Sequence, residues 1–169
     1  MNETGLKKLK EDLGNTVLGV EEYRGDITII VPCEKILEVC KYLRDSEEQL
    51  YNLFIDLASI DYSKFVKAQP ERFALIYHLF SLRFKERVRV KIFIPEANPK
   101  VQTITELWPA ANWFEREAYD MMGIAFEGHP DLRRILCHDD FIGHALRKDY
   151  PIQKRQKLIK PVNVLGEES

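Results

Sequence analysis

Phe73 to Phe80, FALIYHLF, is apolar at both alternating sets of positions apart from His78, and the run after it, Glu86 to Pro95, alternates strictly. In that second run Val88, Val90, Ile92 and Ile94 fall on one side and Arg87, Arg89, Lys91 and Phe93 on the other. A strand apolar on both faces needs cover on both and belongs inside a sheet, whereas an alternating strand needs cover on one face only. These two runs, with the β-rich stretch Leu53 to Asp61 before them, predict three consecutive strands. His78, with nothing nearby in sequence to complete a site, reads as a satisfied buried imidazole rather than a metal ligand.

The chain before them fits around such a sheet. Leu6, Leu9 and Leu13 recur at helical spacing and stop at Gly14-Asn15. Val17 to Tyr23 and Asp26 to Val31 read as a hairpin turning at Arg24-Gly25, with Gly25 at positive φ and Pro32 ending the second strand. Ile36, Val39, Cys40 and Leu43 form one apolar stripe of a helix from Glu34 to Arg44, which makes Cys40 a small core residue. Helix, two strands, helix, three strands is an α+β order: a mostly antiparallel sheet with helices packed on one face. The sheet domain is expected over residues 1–98, a helix-and-turn region packed on it over 99–151, and an extended C-terminal arm over 152–169.

Composition excludes several functions. A formal net charge of -2 provides no field for nucleic acid or an anionic membrane. The N-terminus lacks an apolar signal region, and no apolar run approaches the ~20 residues of a membrane span, so a soluble chain is expected. The three cysteines, Cys33, Cys40 and Cys137, favour a reducing compartment such as the cytoplasm, and they cannot supply the four thiolates of an ordinary iron–sulfur cluster.

Most of the chemistry-bearing residues lie after Pro99. Asn112 reads as an N-cap with Glu115 reaching back to it, opening a helix that runs through Met122 and ends at Gly123. Glu117 and Asp120 lie three apart on it. With His129 they define an acid–base reading, a stand-alone hydrolase; against it, Arg116 precedes Asp120 by four and no nucleophile is in view, which favours a salt-bridged helix surface. His129, Cys137, His138 and His144 match no common zinc spacing. The pattern Phe-x-Gly-His occurs twice, at Phe126 and Phe141, each time followed by Leu-Arg and a second cation. Such Gly-His turns would anchor an imidazole while Arg133-Arg134 and Arg147-Lys148 project donors suited to carboxylates, either on the chain's own sheet or on another protein.

The run EREAYDMMGIAFEGHPDLRRIL, Glu115 to Leu136, resembles the signature of the 30-kDa subunit family (the C-subunit family) of proton-pumping NADH:quinone oxidoreductase, respiratory complex I. Glu115-Arg116-Glu117, Asp120, Met121-Met122, His129, Arg133 and Ile135-Leu136 match it in order. GHALRKDYP, Gly143 to Pro151, is similar to the family's second block, with Ala145 where proline is usual. The resemblance implies a component of the peripheral arm with no catalytic, metal or cofactor residues of its own; the iron–sulfur clusters, FMN and quinone belong to partner subunits. It implies packing on the quinone-site subunit, near the terminal-cluster subunit, on the cytoplasmic side of the membrane. Glu115, Arg116, Glu117, Asp120, His129, Arg133, Arg134, His144, Arg147, Lys148 and Asp149 are then the expected partner interface. Asp120 and Glu117 would be dispensable to the isolated fold, and Arg134 and Arg147 would meet acids of the quinone-site subunit. The basic QKRQKLIK, Gln153 to Lys160, replaces the longer tail of many members, and related hydrogenase and formate hydrogenlyase subunits share the signature.

Overall fold

The computed structural model describes residues 3–156. In chain order they form α1 (Glu3–Leu13), β1 (Gly19–Tyr23), β2 (Asp26–Ile30), α2 (Ile36–Asp45), β3 (Leu53–Asp61), β4 (Phe73–Ser81), β5 (Glu86–Ile94), β6 (Lys100–Gln102), α3 (Ala111–Met122) and β7 (Ala125–Glu127). Five strands make one sheet in the order β1-β2-β5-β4-β3. Its pairs are antiparallel except β2 with β5. A parallel pair requires a long crossover, and the passage through α2, β3 and β4 provides it. β6 and β7 form a separate two-stranded parallel sheet. Three residues per strand are too few for any alternation to be read from sequence.

The β1–β2 hairpin turns on Arg24 at φ 53° and Gly25 at φ 81°, the pair of positive φ values that a tight two-residue hairpin turn requires. One apolar core runs from Leu9 of α1 and the α2 stripe through Phe73, Leu75, Tyr77 and Leu79 of β4 and the four aliphatics of β5 to Ala118 and Phe126. It therefore includes residues from both sides of Pro99. Cys40 is fully buried in it.

Two expectations are corrected. β4 is not covered equally on both faces: Phe73, Leu75, Tyr77 and Leu79 are fully buried, while Ile76, His78 and Phe80 are only half-buried. The helical cover contributes to one face of the sheet, so His78 lies beside Asp26, Arg87 and Arg89 in a small surface cleft rather than in the core. Helix α3 begins at Ala111, and neither Asn112 nor Glu115 caps it with a side chain. Glu115 has turned inward and is fully buried. The C-terminal arm, expected over 152–169, lies outside the described residues beyond Gln156. Among the described residues no helix is long and apolar enough to cross a membrane.

Candidate functional site

Helix α3 ends at Gly123, whose φ of 74° lets its N–H reach the Tyr119 carbonyl at 2.9 Å. A helix leaves its last carbonyls without intrahelical donors. Here the segment after Gly143 supplies them. His144 Nδ1 donates to the Asp120 carbonyl at 2.9 Å, Leu146 N–H to Met121 O at 3.1 Å, and Arg147 Nε to Met122 O at 2.7 Å. A carbonyl only accepts, which places the His144 proton on Nδ1. Burial, reinforced by Arg147 and Arg134, holds the pKa of His144 below its ordinary value despite the bond to Asp120 O. Arg147 also lies 5.0 Å over the Phe73 ring, joining the end of α3 to the start of β4. A side chain on Gly123 has no room: its Cβ would stand 2.4 Å from His144 Nε2.

The Asp120 carboxylate organises the other segment. Its Oδ2 accepts three successive backbone N–H groups, from Ile135 at 3.0 Å, Leu136 at 2.8 Å and Cys137 at 2.8 Å. Its Oδ1 accepts Arg134 Nη1 at 2.6 Å. Burial alone would raise this carboxyl's pKa, but the bonds from Cys137, Leu136, Arg134 and Ile135 outweigh it and hold it below the usual range. Arg134 continues to the carbonyls of Phe141 at 2.9 Å and Gly143 at 3.2 Å, so one guanidinium ties the first loop to the second.

Glu115 and His129 form a buried pair one turn earlier, with Glu115 Oε2 4.0 Å from His129 Nε2 and neither side chain exposed. Glu115 accepts the Ile104 N–H at 2.9 Å and bonds the Thr103 hydroxyl, tying α3 to the end of β6. Desolvation pushes its pKa up to about 7, against the opposing bonds from Ile104 and Thr103. His129 Nδ1 accepts the Asp131 N–H at 3.0 Å, leaving Nε2 to donate to Asn112 O at 3.3 Å.

The structure thus separates the eleven expected interface residues. Glu115, Arg116, Asp120, His129, Arg134, His144 and Arg147 all bind other parts of their own chain. Arg133 is 72% exposed and pairs with Asp131, Lys148 and Glu117 are exposed, and Asp149 is exposed while accepting Arg72 at 2.9 Å. The hydrolase grouping does not assemble: His129 faces Glu115, and both Asp120 oxygens are taken by donors. Among the described residues no three His, Cys, Asp or Glu side chains are placed to hold a metal ion. Sequence reasoning missed Asp61, whose buried carboxylate accepts Arg72 at 2.9 Å and the Lys148 N–H at 2.9 Å. Lys148 stands 87 residues from Asp61, and no local pattern announces the contact.

These features define a class of protein first: an α+β chain whose polar residues clasp its own loops to one helix. Residues 29–156 match the family described as "Respiratory-chain NADH dehydrogenase, 30 Kd subunit". The NADH-quinone oxidoreductase C-subunit of Geobacter metallireducens is 48% identical over 146 residues, covering 86% of this chain and 87% of that one. Its counterpart in Geobacter sulfurreducens is 44% identical over 152 residues, covering 90% and 91%. A solved trypsin-resistant fragment of Nqo5 superposes with a TM-score of 0.67 at 33% identity, covering 77% of this chain and 98% of the fragment. A chain of an archaeal membrane-bound sulfane sulfur reductase shares the fold, with a TM-score of 0.74 at 23% identity, covering 89% and 86%. The chain belongs to the 30-kDa subunit family of NADH-quinone oxidoreductase, respiratory complex I.

Proposed function

We propose that this chain is a non-catalytic component of the peripheral arm that docks on the quinone-site subunit, next to the terminal-cluster subunit, on the cytoplasmic side of the membrane. The FMN, the iron–sulfur clusters and the quinone reside on partner subunits. The observation that carries this reading is the double clasp on α3: Asp120, Arg134, His144 and Arg147 all bond other parts of their own chain and hold the two loops that follow the helix in one arrangement. Such a clasp presents residues 99–151 as a preformed docking surface and lowers the conformational entropy lost on association. Deleting this chain and purifying the complex through a tag on the quinone-site subunit tests it. The expected outcome is loss of assembled enzyme and of NADH:quinone turnover, with both restored by the intact chain. Normal assembly without the chain, coupled to lost turnover, would overturn the reading.

A further inference from the structure

Trp113, Arg116, Glu117 and Asp120 occupy one side of α3 at helical spacing. The loop 133–137 covers Arg116 and Asp120 but not the other two. Trp113 stays 61% exposed and Glu117 is exposed. The indole is held in place from beneath: the Arg116 guanidinium lies 5.2 Å from its ring centroid and donates to the carbonyls of Arg133 at 3.1 Å and Arg134 at 3.2 Å. One face of Trp113 is therefore taken by a cation and the other is open to solvent. Leu136, in the loop that Asp120 holds one turn further along, is 65% exposed, and Ile142 is 73% exposed. Glu117, Asp139 and Asp140 are exposed and make no ion pair among the described residues. The neighbouring arginines are already engaged, Arg116 with two carbonyls, Arg133 with Asp131 and Arg134 with Asp120.

The cations expected to meet a partner's acids are thus largely used inside the chain, and what remains uncovered is acidic and apolar. A rigid exposed tryptophan costs little entropy to bury, and tryptophan is enriched where interface energy concentrates. An unpaired carboxylate one turn from it selects the sign of the visitor. We propose that Trp113, Glu117, Leu136 and the Asp139-Asp140 pair form a docking surface for a basic segment of the quinone-site subunit, one lysine or arginine of which stacks on the open face of Trp113 and pairs with Glu117. This rests on the assembly role proposed above and adds the chemistry of the partner.

Carboxyl labelling with a carbodiimide and glycine ethyl ester, read by mass spectrometry, compares the free full-length chain with the native complex isolated through a tag on this chain. Label at Glu117 and Asp139 is expected to fall about tenfold in the complex, the protection of groups desolvated by a partner. Glu117→Lys should lower recovery of the co-expressed quinone-site subunit by about tenfold or more, and Glu117→Gln by less, with thermal melts of the free variants unchanged. A preparation lacking the quinone-site subunit would sink the assembly role itself. A preparation containing it in which Glu117 labels as in the free chain, or in which Glu117→Lys binds normally, would overturn this surface while leaving that role standing.

Discussion

Replacing Glu115 by glutamine isolates a pH-dependent contribution to stability. In the folded chain desolvation raises this carboxyl to about 7, from an ordinary value of 4.5. The folded state therefore holds the proton more tightly than the unfolded state. The stabilisation is complete below pH 4.5 and is lost as the pH rises through 7. At about 1.4 kcal/mol for each pH unit between those values, the loss amounts to about 3 kcal/mol. The groups facing Glu115 are His129 from the turn after β7, Thr103 from the end of β6, Tyr77 of β4 and Cys40 of α2. None of these four side chains is itself changed by the substitution. Glutamine retains a carbonyl for the Ile104 N–H and an N–H for the Thr103 hydroxyl, matching the protonated acid, and it does not ionise. Urea unfolding of both proteins, followed by circular dichroism at about pH 4 and pH 8, should show Glu115→Gln gaining about 3 kcal/mol on wild type across that range. Parallel profiles would refute the buried, proton-holding environment inferred for Glu115.

Asp120→Ala should destabilise the free chain by about 3–5 kcal/mol in urea unfolding, because it leaves the largely buried Arg134 and three N–H groups without their acceptor. This reverses the near-neutral outcome expected of an Asp120 on a helix surface. Gly123→Ala should cost at least about 1–2 kcal/mol from the positive φ alone, with a further loss from its contact with His144, measured as a lowered melting temperature. Asp61 is held below the usual carboxylate range, with burial opposed by Arg72, Lys148 and Ser63. Its stabilisation is present above its ordinary value of 3.8 and lost as pH falls through the depressed value, so Asp61→Asn should flatten the acid limb of the stability profile.

The five strands of the main sheet and the first two helices were legible in the sequence because their signal is local, whereas β6 and β7 were too short to show one. The alternation of Val88 to Ile94, the stripe of α2 and the Arg24-Gly25 turn each report a periodicity or a dihedral requirement within a few residues. The signature blocks were legible as a resemblance, and the family matches bear that out. The helical spacing also put Glu117 and Asp120 on neighbouring faces of α3, yet it could not say which would be buried. That depended on loop 133–137 folding back over one side of the helix.

What the amino-acid order determined by itself was the helices and the five strands of the main sheet, the α+β class and the clustering of charge after Pro99. Tertiary structure alone decided the parallel contact between β2 and β5, the uncovered face of the sheet beneath His78, and the partner of every charged residue in the clasp. The physical reason is that a carboxylate such as Asp61 or Asp120 is equally satisfied in principle by any donor that reaches it. Whether that donor is Arg72, a backbone N–H at Lys148 or three successive amides at Ile135, Leu136 and Cys137 is set by where distant segments come to rest.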